Sequence, residues 1–339
     1  MQDQTVVFWG AGRRMHGFLR EFCIQKKIIP MPDYVCDSTR KIEEKDVDGI
    51  PVIAFEKLKR MDCANTIVII TAGLFDLQAQ VVSNELYYFP LYHCRAFEAY
   101  YYLRENRGKF DAVSAMLADT KSRELYDKFF QNTMDGVFWS QSLFEPNPYF
   151  GNDCIGNLHD DACLVLAGAF NGKHIDRALA NNHSVKIHGF EPNRQWYEYL
   201  VKKYCEKQKI ILHNSILWNQ KEMLRFDGDG LNSGLDAHVI STEDTRCDTV
   251  IQSIDLDSLL DDQISLIALD IEGSECRALQ GAATLIKNLK PDLAICLYHN
   301  VKDFIEIPLL IDKLSGGRYT YHVKQHSCIS AIETVLYAT

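Results

Sequence analysis

The sequence predicts an α/β protein built on two Rossmann-like sheets, a smaller one at the N-terminus and a larger one after it. Three observations carry that prediction. Apolar, β-branched runs alternate with stretches of helical periodicity, the pattern of parallel strands joined by crossover helices. Many of those runs end abruptly at Gly, Asp or Glu, as strands do where they deliver residues to the edge of an open sheet. The last two extended segments have no helix between them. The chain of 339 residues is long enough for two ordinary domains. A composition of 47% hydrophobic and 24% charged residues, with 9 prolines, is that of a soluble globular protein.

The first strand, Thr5 to Trp9, is β-branched and aromatic and runs into Gly10-Ala11-Gly12. Arg13 to Lys27 then has helical spacing. Tyr34-Val35-Cys36 ends in Asp37, and residues 49–53 and 65–71 supply further strands. This places a small Rossmann-like domain at 1–105. Residues 107–135 carry Phe110, Val113, Leu117, Leu125, Phe129 and Phe130 roughly on one stripe and read as helix. Pro146, Pro148 and Gly151 mark a loop, so 106–151 reads as a helical bridge. From 152 to 339 the alternation is regular, with strands at 162–167, 185–190, 209–214, 265–269 and 293–297. Each is followed by a helix or a long connection, with an added strand at 222–226. Segments 319–325 and 333–338 should pair as a hairpin. Five strand–helix units closed by such a hairpin are the layout of the common methyltransferase fold.

The formal net charge of −10 argues against nonspecific nucleic-acid binding, which needs clustered Lys and Arg. A small-molecule or carbohydrate substrate suits it better. The start of the chain has no basic region followed by a long apolar one, so no signal peptide is read. No stretch has the apolar length of a membrane span. The 11 cysteines include no C-x-x-C pair, and Cys163, Cys276 and Cys296 lie in apolar runs, as reduced core residues do. A cytoplasmic protein is the simpler expectation. A homo-oligomer is left open.

Ligands of open α/β sheets bind beyond the carboxyl ends of the strands, so chemistry is sought there. Gly168-Ala169-Phe170-Asn171-Gly172 follows the first strand of the larger domain and lets a cofactor approach the backbone, although such turns also end strands for purely structural reasons. Glu191 ends the next strand, where a carboxylate can accept both hydrogen bonds of a ribose diol; an isolated Glu is also often a loop acid. Asp270, Glu272 and Glu275 crowd three carboxylates beyond a buried strand. Like charges there raise one another's pKa and cost desolvation, so function is expected of Asp270 and Glu272. Glu275 suits the cap of the next helix.

These pieces resemble the FkbM-type methyltransferase family. The matching segments are LAGAFNGKHI (166–175), GFEPN (189–193), IDLDSLL (254–260), ALDIEGSE (268–275), ALQGAATLIKNLKPDLAICLYHN (278–300), DFIEIPLLI (303–311) and the closing QHS…ETVLYA. The resemblance covers essentially all of 160–339 and implies methyl transfer from S-adenosylmethionine to a hydroxyl, commonly of a sugar or a polyketide. It implies that Gly168, Asn171 and Gly172 line the methionine end of the cofactor, that Glu191 meets its ribose and that Asp270 lies near the reacting centre. Three positions depart from the pattern. Leu166 and Lys173 stand where the family usually or often has acids, and Ala268 stands where it usually has Lys. A lost acid near a cationic sulfonium weakens its binding. The alternative to an O-methyltransferase of glycan biosynthesis is therefore a catalytically impaired domain serving as a binding or scaffold protein in a glycan-assembly system.

An aliphatic hydroxyl needs a base or a metal to draw off its proton. Asp270 and Glu272 follow one strand, His299 and Asn300 the next. Either His299 is the general base, oriented by Asp270 or Glu272, or Asp270, His299 and Asn300 hold Mg or Mn. Asp303 and Glu306 meet substrate hydroxyls or solvate a helix face. In the first domain, Gly10-Ala11-Gly12 with Asp37 about 25 residues on is a partial dinucleotide fingerprint, with Met15 at the third glycine. That region is similar to nucleotide-binding-like domains attached to some glycan-modifying enzymes. A nucleotide site and a docking scaffold are both open, as is phosphate binding by Arg13 and Arg14. An oxidoreductase reading finds no catalytic partners there.

Overall fold

The computed structural model describes residues 4–11, 13–37, 46–71, 91–135, 145, 148–227, 238–240, 249–326 and 333–339. The chain divides into two compact units, Met1–Tyr101 and Tyr102–Thr339.

The first unit has strands β1 (Thr5–Trp9), β2 (Tyr34–Cys36), β3 (Asp46–Val47), β4 (Ile50–Ile53), β5 (Thr66–Ile70) and β6 (Leu91–His93) in the order β3-β4-β2-β1-β5-β6. All neighbours are parallel except β3 on β4. Side chains alternate across the pleat: Val6 and Phe8 pack with Met15, Phe18 and Phe22, while Val7 and Trp9 face Leu58. The helix expected at 13–27 runs as α1 (Arg13–Phe18) and then a π-helical stretch, Leu19–Gln25, which keeps Phe22 and Cys23 buried. Gly10, at φ 112°, turns the chain at the end of β1, and the Ala11 amide donates to Asp37 Oδ2 at 3.3 Å. Gly12 and the side chains of Arg13 and Arg14 lie outside the described residues.

Helices α2 (Phe55–Leu58) and α3 (Cys94–Glu105) complete the N-terminal elements. Helices α4 (Arg107–Met116) and α5 (Thr120–Asp135) do not form a separate bridge but belong to the second unit. The reason is their apolar stripe, which needs a partner surface. Phe110 stacks on Tyr126 at 4.1 Å, and Phe129 stacks on Phe304 at 3.7 Å.

The second unit is centred on seven strands: β7 (Cys163–Ala167), β8 (Lys186–Phe190), β9 (Ile210–His213), β14 (Leu266–Leu269), β15 (Asp292–Cys296), β16 (Tyr321–Gln325) and β17 (Thr334–Ala338). Their order is β16-β17-β15-β14-β7-β8-β9, parallel from β15 to β9 and antiparallel at β17 and β16. Residues 327–332, where the hairpin turn was expected, lie outside the described residues. Helices α6 (Lys173–Asn181), α7 (Arg194–Lys203), α8 (Glu275–Gln280), α9 (Ala283–Leu289) and α10 (Asp303–Ser315) cover the sheet. Between β9 and β14, the strands β10 (Ile216–Leu217), β11 (Met223–Asp227), β12 (His238–Ile240) and β13 (Val250–Ile254) form a second sheet, β10-β13-β11-β12. The added strand expected at 222–226 thus belongs to that sheet and not to the main one. Each face of the main sheet has its own core, one including Val165, Phe190 and Leu269, the other Leu164, Leu166 and Ala268. Among the described residues no helix is long and apolar enough to cross a membrane.

Candidate functional site

Successive strands leave β7 in opposite directions, β8 on one side and β14 on the other. Such a reversal opens a crevice at the carboxyl ends, and the expected site residues of 168–191 and 270–300 stand on the two sides of it.

On the β8 side, Gly168 turns at φ 77°. A β-carbon there would lie 1.9 Å from the Asp270 carbonyl oxygen, so glycine is what lets the end of β7 close on the end of β14. Gly172, at φ 82°, has a structural reason of its own, since a β-carbon would meet Tyr204 Oη at 2.4 Å. The Asn171 side chain accepts from the Lys173 amide at 3.0 Å and so closes the loop. Glu191 is buried, and its two oxygens accept the Phe170 amide at 2.7 Å and the Asn193 amide at 2.8 Å. Burial pushes its pKa up to about 7 against the pull of those amides. Each oxygen keeps a second lone pair for a ligand hydroxyl. The Phe170 ring lies 4.3 Å from that of Trp196 in the first turn of α7.

On the β14 side, Asp270 gathers donors. The Tyr298 hydroxyl donates to Oδ1 at 2.8 Å and the Tyr149 hydroxyl to Oδ2 at 3.2 Å, while His299 Nε2 is 3.3 Å from Oδ1. Burial opposes its charge, yet the His299 cation and the Tyr298 hydroxyl hold its pKa down at about 2. His299 is 6% exposed and ringed by carboxylates, with Nε2 also 3.4 Å from Glu272 and Nδ1 2.9 Å from Glu275. Burial favours its neutral form, but the charges of Glu275 and Asp270 raise its pKa well above the ordinary value. The shift favours the protonated ring. Glu272 is held at φ 55°, a left-handed backbone that a β-carbon residue adopts only under constraint.

Asn300 does not join this group. Its backbone and side-chain amides donate to Asp303 Oδ2 at 3.0 and 3.3 Å. For the metal expected on Asp270, His299 and Asn300, the structure turns the Asn300 side-chain nitrogen to Asp303. Among the described residues no group of three or more His, Cys, Asp or Glu is arranged to hold a metal ion. Asp303 is buried rather than solvated, and burial with the charge of Glu275 lifts its pKa to about 7. Glu306 accepts the Tyr102 hydroxyl at 3.0 Å. Glu275 sits in the first turn of α8, but its carboxylate turns back to the Ile271 amide at 2.9 Å and to His299.

The sequence reading missed Tyr149, His174 and Tyr298. Tyr298 was findable, since Cys296 and Tyr298 point the same way along the strand direction. Tyr149 was not: it lies 121 residues from the carboxylate it touches. His174 stands edge-on to Tyr149 at 4.5 Å, and burial lowers its pKa to about 4, so it is neutral at pH 7. Sheet register also joins two departures that looked separate. Leu166 pairs directly with Ala268, and both are buried.

The family model described as the methyltransferase FkbM domain matches residues 127–323. Among solved structures, methyltransferase FkbM from Methylobacillus flagellatus KT is similar over 99% of this chain and 90% of its own, at 18% identity and a TM-score of 0.63. At that identity the shared property is the fold. The fibrillarin pre-rRNA processing protein of Methanococcus jannaschii aligns over 65% of this chain and 75% of its own, at 9% identity and a TM-score of 0.35. The precorrin-6y C5,15-methyltransferase of Geobacter metallireducens GS-15 aligns over 53% of this chain and 80% of its own, at 10% identity and a TM-score of 0.32. At those scores neither supports a statement about this chain. No curated protein matches it.

Proposed function

The chain belongs to the methyltransferase FkbM family, and from that premise we propose that it transfers a methyl group from S-adenosylmethionine to a hydroxyl of a sugar or nucleotide-linked sugar in glycan biosynthesis. The observation that carries this reading is the pairing of two strand ends: the Glu191 carboxylate beside the Gly168–Gly172 loop, and across β7 the Asp270 cluster. The cofactor supplies an electrophilic methyl group on a cationic sulfur. Everything else falls to the chain.

Glu191 accepts the ribose diol, and Gly168 keeps the backbone close enough for the cofactor to lie along it. Asp270, ionised at neutral pH, presents negative charge where positive charge is bound. His299 fixes Asp270 and Glu272 as an imidazolium, itself balanced from behind by Glu275. Glu272 is assigned the hydroxyl proton, since it shares His299 with Asp270 but is not the acceptor of the two tyrosines. Tyr149 and Tyr298, both raised far above the ordinary phenol pKa chiefly by burial, stay protonated and orient Asp270.

Calorimetry with S-adenosylmethionine and S-adenosylhomocysteine is the test. Binding of both in the micromolar range supports the enzyme. Folded protein that binds neither overturns it and leaves the scaffold reading.

A further inference from the structure

The closing motif, QHS…ETVLYA, carries buried polar side chains that the proposed mechanism leaves idle. Lys324 on β16, His326 just beyond it and Tyr337 on β17 are only 7%, 5% and 0% exposed. All three reach the segment 145–153, which brings Tyr149 to Asp270. Lys324 Nζ pairs with Glu145 at 2.6 Å and also with Asp153. His326 Nδ1 lies 2.6 Å from the Glu145 carbonyl oxygen, and His326 Nε2 lies 2.8 Å from the Tyr337 hydroxyl. That hydroxyl oxygen accepts the Tyr149 amide at 2.8 Å and the Asn152 side-chain amide at 3.4 Å. Tyr149 is held at φ 73°, a backbone that a residue with a β-carbon keeps only where its surroundings impose it.

Counting hydrogens fixes the direction of these bonds. A carbonyl oxygen only accepts, so His326 Nδ1 carries a hydrogen. The Tyr337 oxygen offers two lone pairs and both meet amides, so its own hydrogen points at His326 Nε2, which is bare. Burial agrees, since it lowers the His326 pKa and keeps the ring neutral. We propose that His326, as the Nδ1–H tautomer, is a positioning residue: through Tyr337 it fixes the Tyr149 backbone, and so the hydroxyl that meets Asp270 Oδ2 at 3.2 Å. The inference rests on the methyltransferase reading and deepens it. The aim of the Asp270 charge at the sulfonium then depends on a histidine that acts only through two tyrosines.

The test is calorimetry of the full-length protein with S-adenosylmethionine and S-adenosylhomocysteine, which differ by one methyl group and the positive charge on sulfur. The ratio of the two affinities reads the charge that Asp270 presents, and wild type is expected to prefer the sulfonium. His326→Leu removes both ring nitrogens and should cut that preference about fourfold, the change expected when one charge retreats by about 1 Å near a protein surface. A loss of packing alone would weaken both ligands together and leave the ratio as it was. His326→Gln returns an acceptor to the Tyr337 hydroxyl and should restore most of the preference. Nitrogen NMR of histidine-labelled wild type, with the His326 signal identified by its absence from His326→Gln, should show the Nδ1–H tautomer, and it decides the matter should the leucine variant not fold. An Nε2–H tautomer, or a ratio unchanged in His326→Leu, overturns the proposal and leaves the methyltransferase reading intact. Folded wild-type protein that binds neither ligand overturns both.

Discussion

At the scale of single residues, the site is decided by who keeps a proton. Glu191, raised to about 7 chiefly by burial, gains and loses its charge near neutrality. An ionised carboxylate accepts from a diol and a protonated one does so poorly. S-adenosylhomocysteine affinity should therefore rise as pH goes from 6 to 8, and Glu191→Gln should flatten that rise and weaken binding throughout; parallel profiles would exclude the role. The Asp270–His299 pair behaves differently. Asp270 is depressed to about 2, so its contribution to stability is present above the unfolded value near about 3.9 and is lost as pH falls through 2. His299 is raised, so its contribution is full below about 6.5 and is lost only as pH climbs through its elevated folded value. The pair consequently holds across the neutral range. Removing the cation by His299→Ala strands the fully buried Glu275 and should cost about 3–5 kcal/mol. Adding Glu275→Gln should recover part of that loss, by urea denaturation of the single and double variants.

Elements bring these residues together. Gly168 is the tightest joint, because the end of β7 and the end of β14 touch through it. Gly168→Ala combines a left-handed backbone with a clash, and we expect more than about 2 kcal/mol of lost stability together with lost cofactor binding. A variant with wild-type melting temperature would show that the joint yields. The segment carrying Tyr149 is pinned by the Tyr149 amide on Tyr337 Oη at 2.8 Å. Tyr149→Phe deletes only the hydroxyl that reaches Asp270, and should lower kcat while changing the melting temperature little; the opposite pattern would make Tyr149 a packing residue. Element positions were largely legible. Strands expected at 162–167 and 185–190 occur at Cys163–Ala167 and Lys186–Phe190, because buried parallel strands read as short apolar runs between breakers. The sheet of β10 to β13 was not. Short strands that pair across an insertion leave only weak periodicity, and pairing partners are not written in local pattern.

Across the whole molecule, each of the two units has its own buried cores. Separate cores imply separate cooperative unfolding. Differential scanning calorimetry should resolve two transitions, with S-adenosylhomocysteine raising only the one that belongs to 102–339. A single transition moving as one would contradict this. The sequence places the first domain at 1–105 and a helical bridge at 106–151, and the compact units divide at Tyr101 and Tyr102. Helices α4 and α5 show an apolar stripe in sequence without saying which surface it meets, and Phe304 supplies that answer from far along the chain.

Local chemistry and periodicity, both properties of consecutive residues, determined the strand ends, the glycine turns and the crowd of carboxylates at Asp270, Glu272 and Glu275. The family follows from the same consecutive residues. Tertiary structure alone decided the upward pKa shift of His299, the turning of Asn300 to Asp303, and the meeting of Leu166 with Ala268. Each depends on distance and burial between segments remote in sequence. A pKa is set by the charges that surround a group in space, and the chain brings those charges together only by folding.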